Sequence, residues 1–464
     1  MTGKAMTRKI PFRSAIGPLG FLVAVLALIA PASAEWKEKV LYSFQGGTDG
    51  ATPAGGVVFD AAGNLYGATT DGGSSNCPGI AQCGTVFQLQ PPPEKGDSWT
   101  ENQLYIFKGK NSNDGETPAG GVIFDQAGNL YGTTAYGGSG DCILLGTAVG
   151  CGVVFQMKPP RTKGGDWTET VLYSFKGGKD GYLPQGNLTF DGAGNLYGAT
   201  EYGGGYGSCN APYYQYCGTI FELSPPETKH GKWTEKVLYS FKSGTDGANP
   251  NGSLVLDSKG AIYGTTYAGG NQDCKADSSV GCGTAFELKL PANKGATWIE
   301  KMLHRFADAD DGAQPGAGVI IDANGSLYGA AEGGAKGGGV VFRFAITGDG
   351  RWKETVLYDF TVGPEGGYDP SATLFGKSGD IYGTTNVGPG ESVAGSVFRL
   401  NPSSREDSAW AISILHGFRN RPDGAFPNTP LIADESWSLY GATQSGGTGQ
   451  SCQGGCGTVF EVEP

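Results

Sequence analysis

Asp60-Ala61-Ala62-Gly63-Asn64-Leu65-Tyr66-Gly67-Ala68-Thr69-Thr70 decides the fold, because the chain writes this stretch again and again. Its Leu/Ile-Tyr-Gly triplet begins at Leu65, Leu130, Leu196, Ile262, Leu327, Ile381 and Leu439, at intervals of 65, 66, 66, 65, 54 and 58 residues. A second signature, Gly-x-(Val/Ile/Ala)-Phe, ends at Phe87, Phe155, Phe221, Phe286, Phe342, Phe398 and Phe460. A third sets a Trp eight residues before a Phe, from Trp36 and Phe44 to Trp410 and Phe418, again seven times. A fixed period of tens of residues means stacked equivalent units.

Each unit reads as four short strands. Strand A is an apolar run such as Val57-Val58-Phe59, Val122-Ile123-Phe124 or Val319-Ile320-Ile321, the pattern of a strand buried on both faces. Asp60 to Asn64 is a tight turn in which Gly63 accepts positive φ and Asp60 bonds turn amides, leading into strand B from Leu65 to Thr70. Strand C is the Gly-x-x-Phe run, and strand D runs from Trp to Phe. Seven such sheets predict an all-β, seven-bladed β-propeller, which repeats radially and leaves only short protected edges. The chain ends agree: Trp36 to Phe44 is a D strand without its unit, while the last unit stops after strand C. The N-terminal strand is expected to complete blade seven at 36–44, with repeats at about 45–107, 108–175, 176–241, 242–306, 307–360, 361–418 and 419–464.

The pattern Leu-Tyr-x-Phe, Asp-Gly-x-x-Pro, Asp-x-x-Gly-Asn-Leu-Tyr-Gly-Thr-Thr and Gly-Thr-Val-Phe resembles the GloVer (Gloeo/Verruco) tandem repeat of exported bacterial propellers. The resemblance spans the whole chain after its first thirty-four residues. It implies a bacterial exported propeller, often with a C-terminal anchor, which this sequence does not show. It implies no activity that can be carried to any residue.

Lys4, Arg8, Lys9 and Arg13 precede the apolar run Phe21 to Ala30 and the small residues Ala32-Ser33-Ala34, so residues 1–34 read as a secretory signal removed in the mature chain. Ten apolar residues are too few to span a bilayer, and no other segment is long enough. A periplasmic or extracellular, monomeric domain over 35–464 is expected. With 82 Gly and 26 Pro among 464 residues the chain is rich in turns, yet 38% hydrophobic residues suffice for a core. The net charge is −12, and −16 once the basic leader is set aside, which excludes nucleic acid as a partner.

The ten cysteines fall in pairs, Cys77/Cys83, Cys142/Cys151, Cys209/Cys217, Cys274/Cys282 and Cys452/Cys456, all between strands B and C. One pair per repeat at one position makes local disulfides the simplest framework. Blades five and six, with the shortest B–C loops, have none. Two sulfurs and no nearby His do not make a zinc site.

The remaining constellations are weighed against repetition. Asp49, Asp114, Asp180, Asp246, Asp311 and Asp423 each precede Gly in the D–A loop, where unit six has Asp369-Pro370 instead. They are candidate channel-mouth carboxylates able to hold Ca²⁺, although an Asx turn repeated with the blade is the simpler reading. No other cofactor or metal is expected. His304 and His416 take the strand-D place of Tyr42, Tyr105, Tyr173, Tyr239 and Tyr358, and no catalytic triad is suggested. Glu201 and Glu332 on B–C loops leave open a hydrolase or lyase acting on polysaccharide. Blades two to four add aromatics that other blades lack: Tyr136 and Tyr202 at equivalent positions, Tyr267 one position earlier, and Tyr206, Tyr213, Tyr214 and Tyr216 in the third loop. Even repetition and the sparse acid–base chemistry favour a non-catalytic recognition or scaffold module, with carbohydrate or a protein as ligand on that face.

Overall fold

A computed structural model describes residues 36–464 except 74–82, 95–96, 163, 206–216, 229–230, 272–273, 275–280, 292, 294–295, 363–366, 389–393 and 404–408. β1 (Lys37–Ser43) stands apart from the first sheet, in which β2 (Ala51–Phe59), β3 (Leu65–Asp71), β4 (Thr85–Gln90) and β5 (Thr100–Ile106) pair antiparallel in that order. Seven four-stranded blades built this way form the ring. The seventh is made of Ile432–Ala433, Leu439–Thr443, Thr458–Glu463 and, outermost, β1. Lys37 pairs with Glu463, Val40 with Phe460 and Ser43 with Thr458, so the two chain ends close the circle as the sequence predicts.

The signatures are one packing unit. Gly67 of β3 lies directly across from Phe87 of β4, and a Cβ on Gly67 would sit 2.5 Å from the Phe87 ring. Gly132 meets Phe155 in the same way at 2.6 Å, and Gly441 meets Phe460 at 2.7 Å. Only a glycine lets the ring lie over the sheet. The Phe that ends one blade's outer strand then packs on the next blade's ring: Phe44 on Phe87, Phe107 on Phe155 and Phe418 on Phe460, with centroids 5.1, 5.1 and 5.0 Å apart. Each tilted pair contributes roughly 0.5–1.5 kcal/mol beyond its area and ties neighbours together.

Strands C and D slip by one residue in every blade, as between Val86 and Phe87 of β4, which leaves Leu104 of β5 without an opposite number. In blade seven the unmatched residue is Leu41, and there it is 6% exposed. The bulge adds twist and turns this Leu inward, between blades.

One expectation needs correction. Val57, Val122 and Val319 are buried, but Val58, Phe59, Ile123, Phe124, Ile320 and Ile321 are only half-buried. Strand A is the innermost strand, and part of its surface borders the central channel rather than a second layer. It shortens to Val255–Leu256 in blade four and Val319–Ile321 in blade five. No helix among the described residues is long and apolar enough to cross a membrane.

Candidate functional site

The channel holds a cavity of about 700 Å³ walled by residues of all seven blades. Its waist is glycine against glycine, because seven inner strands converge there. A Cβ on Gly55, whose φ is +62°, would meet the Gly121 nitrogen at 1.6 Å. Asn187 laces the wall: its Oδ1 accepts from the Gly121 N–H at 2.7 Å, its Nδ2 donates to the Gly55 carbonyl at 3.3 Å, and its own N–H reaches Ser253 Oγ at 3.2 Å.

The entry to strand A is set by a repeated constraint. Thr52, Thr117, Leu183, Asn249, Gln314, Asp369 and Phe426 all have φ between 53° and 64°, and each precedes a proline. Left-handed backbone is costly for residues other than glycine and persists only where the surroundings impose it. Here the N–H of Thr52 donates to the carbonyl of Cys456 at 2.8 Å, Leu183 to Cys151 at 3.1 Å and Gln314 to Cys282 at 2.7 Å. The second cysteine of each staple thus fixes the mouth of the following blade.

Three disulfides are described, Cys142–Cys151, Cys274–Cys282 and Cys452–Cys456, all local and within one blade. Cys83 and Cys217 are also disulfide-bonded, while Cys77 and Cys209 lie outside the described residues. Non-reducing peptide mapping is expected to recover Cys77 joined to Cys83 and Cys209 joined to Cys217. A bridge between units would break the scheme.

Over blades two and three the mouth carries an aromatic and amide cluster. Tyr136 and Glu201 line the cavity, and Gln185 Nε2 donates to Glu201 Oε2 at 3.2 Å. Tyr202 stacks on Tyr182, with centroids 5.2 Å apart and planes 29° from parallel. Burial, together with the Glu201 and Tyr136 charges, pushes the Tyr182 hydroxyl up to about 12, so it stays a donor. Burial also raises the Glu201 carboxyl. Glu116, fully buried on the adjoining strand, is pushed up to about 7 by burial. Thr117 Oγ1, Asn249 Oδ1 and Asn251 Oδ1 are buried without a hydrogen-bond partner in the same quarter of the mouth. Tyr267 is half-buried, with its N–H on the Asn249 carbonyl. Tyr206, Tyr213, Tyr214 and Tyr216 lie outside the described residues.

Sequence reasoning missed Tyr182. Its signal was available, since the residue after Asp-Gly is Ala51, Ala248, Ala313 or Ala425 in four units but Glu116 and Tyr182 in units two and three.

The Asp-Gly residues do not line this cavity. Each is drawn into its own loop by the outer strand before it. Asp49 Oδ2 accepts from the Tyr42 hydroxyl at 3.0 Å and the Gln45 N–H at 2.8 Å, and Asp114 and Asp180 take Tyr105 and Tyr173 at 2.8 Å each. Asp246 takes Tyr239 at 2.6 Å. His304 and His416 do the same work on Asp311 and Asp423, at 2.8 and 3.2 Å, and pack edge-on against Phe306 and Phe418. The carboxylates are hydrogen-bonded within their own loops. Glu38, His416 and Asp423 do bring three ligand-type atoms within 4.8 Å at the closing junction. Five of the other outer strands place Tyr where His416 stands, and four of these tyrosines bond the loop aspartate in the same way, which fits a hydrogen-bonding role.

The repeat pattern catalogued as the Gloeobacter/Verrucomicrobia repeat matches residues 26–211, 142–276 and 274–464. The chain belongs to this repeat family. Family membership accounts for the recurring triplets and for the blade that each one builds. No curated protein matches the chain. Solved structures that it is similar to include a PQQ-bound aldose sugar dehydrogenase from Streptomyces coelicolor, at 13% identity and TM-score 0.42, covering 93% of this chain and 98% of that one. Another is PorZ, a surface component of the type-IX secretion system of Porphyromonas gingivalis, at 15% identity and TM-score 0.38, covering 84% of this chain and 45% of that one. No ligand or reaction is taken from either.

Proposed function

We propose that this repeat-family propeller is an exported binding module that recognises a saccharide at the channel mouth over blades two to four. The observation that carries the reading is the Tyr182–Tyr202 stack beside Tyr136, Glu201 and Gln185. Aromatic faces bind the apolar faces of sugar rings, while carboxylate and amide groups bind hydroxyls, and few convergent polar groups in a concave wall set orientation. Thr117 and Asn251 add polar side chains to the same cavity wall. The stapled strand entries hold the groups in place before binding, which lowers the ordering entropy a ligand must overcome. Disulfides fit an oxidising compartment, and the basic-apolar leader of residues 1–34 supports export to the periplasm or medium.

The test is a glycan-array screen of the purified chain with turnover assays on the same panel. Replacing Tyr182 or Tyr202 by Ala is expected to weaken binding of the best glycan ~10- to 100-fold, with the melting temperature within a few degrees of the parent. Unchanged affinity in both variants would remove the site. Product formation on the panel would instead make Glu201 and Glu332 catalytic candidates, and a ligand found only among proteins would redirect the surface to a protein partner.

A further inference from the structure

A second, smaller recess of about 210 Å³ opens at the rim over blades five and six. Unit six puts Asp369 at the left-handed position before Pro370, with φ 64°, and unit five puts Gln314 at the same position. Gln314 is 7% exposed, lines the recess, and its amide has no hydrogen-bond partner among the described residues. Asn386 Nδ2 donates to Asp369 Oδ2 at 3.2 Å, while its Oδ1 is buried without a partner. Glu332 and Asn428 line it too, and none of the described lining residues is Lys, Arg or His. Two carboxylates therefore face one recess with no basic side chain among the described lining residues. Burial and the Asp369 charge push the Glu332 carboxyl up to about 7.

We propose that this recess binds a divalent cation, Ca²⁺, through the carboxylates of Glu332 and Asp369 and the amide oxygens of Gln314, Asn386 and Asn428, with water completing the shell. The donor set is all oxygen, which selects a hard cation, and carboxylates mixed with amide oxygens suit the six to eight flexible ligands of Ca²⁺ better than the strict octahedron of Mg²⁺. Neutralising two facing carboxylates explains why the walls tolerate them without a basic partner. Unlike the Asp-Gly carboxylates, which are spent on their own loops, these residues line the recess.

Chelator-treated full-length mature chain titrated calorimetrically with CaCl₂ should show one saturable site, with a dissociation constant on the order of 10⁻⁴–10⁻³ M as in extracellular modules. Its melting temperature should rise with added Ca²⁺, since an ion that binds only the folded chain stabilises it. Glu332→Gln and Asp369→Asn should each weaken binding about tenfold or more, while the calcium-free melting temperature stays level or rises. The absence of both saturable heat and a melting shift, an equal response to MgCl₂, or full binding by the double variant would overturn the site. Because neither variant touches Tyr182 or Tyr202, calcium binding and glycan binding can fail separately.

Discussion

A chain lacking residues 35–44 is expected to aggregate or to lose most of its thermal stability. β1 supplies six paired positions to Thr458–Glu463, from Lys37 opposite Glu463 to Ser43 opposite Thr458. The deleted segment also buries Leu41 at 6% exposure and Phe44, just after β1, at 0%, the latter against Phe87 of blade one. Removing two large side chains forfeits about 3–6 kcal/mol of burial alone, a large share of the 5–15 kcal/mol that holds a typical domain. The deletion also uncovers Thr458-Val459-Phe460-Glu461-Val462-Glu463 as an open edge, and an exposed, hydrophobic edge recruits other chains. Soluble yield and melting temperature of the truncated and parent chains decide the matter. Addition of a peptide covering 36–44 should restore part of the loss. A truncated protein that melts with the parent would mean that the ring does not depend on this strand.

How much was legible depends on where a residue's partner lies. Gly67 and Phe87 announce a blade because both halves of the contact recur, and the orphan Trp36–Phe44 segment announces closure because its missing unit stands at the other end of the chain. The channel wall was less legible. Ile123 reads like any core residue, since an innermost strand with one side on a narrow cavity has the same apolar pattern as one buried on both sides. For the Asp-Gly residues, expected as channel-mouth carboxylates, sequence gives the loop but not the partner of the carboxylate. Tyr42, seven residues before Asp49, draws that carboxylate back toward the outer strand. Tyr182 and Gln314 escaped because each sits at a position where the repeat itself varies, and only the ring shows which variable positions converge.

The acidic residues of the outer strands were the least legible of all, and they lead to the last expectation: the folded chain is more stable near pH 5 than at pH 8. Glu101, Glu169, Glu235, Glu300, Glu354 and Glu38 alternate along their strands like solvated residues. In the ring each is covered by the preceding blade, near Asp49, Asp114, Asp180, Asp246, Asp311 and Asp423 respectively. One carboxylate oxygen of every one of these six is buried without a hydrogen-bond partner. Burial first, and the neighbouring aspartate second for Glu101, Glu169, Glu235 and Glu300, pushes the carboxyl up to about 7, and to about 8 for Glu169. Glu354 and Glu38 reach about 7 although His304 and His416 oppose the rise. Lys108, Lys176 and the pair Lys242 and Arg305 oppose it at Glu169, Glu235 and Glu300. Where unit six lacks Asp-Gly, the outer strand carries Ile412 in place of Glu, packed in one cluster with Tyr358. The two carboxyls are lost together, as expected if each makes sense only beside the other.

The sign follows from proton uptake. The unfolded chain releases these protons near the ordinary 4.5, whereas the folded chain holds them to about 7, so folding binds protons between those values. The stabilisation is complete below about pH 4.5 and is lost as pH rises through about 7. Solvent and salt screen these half-buried groups, so about 0.5 kcal/mol at each of six junctions is a reasonable size, about 3 kcal/mol together. At the acid end Asp423, Asp191 and Asp380, where burial raises the carboxyl but hydrogen bonds together outweigh it and hold it low, withdraw stability once they protonate below 3.8. Melting scans at pH 5 and pH 8 should therefore differ by several degrees in favour of pH 5. Glu101→Gln, Glu169→Gln and Glu235→Gln combined should raise the pH 8 value and flatten the slope, because an amide keeps the shape without the buried charge. A parent chain that melts higher at pH 8 than at pH 5 would show that these carboxyls are ionised at little cost, and that the blade junctions are not what sets the pH response.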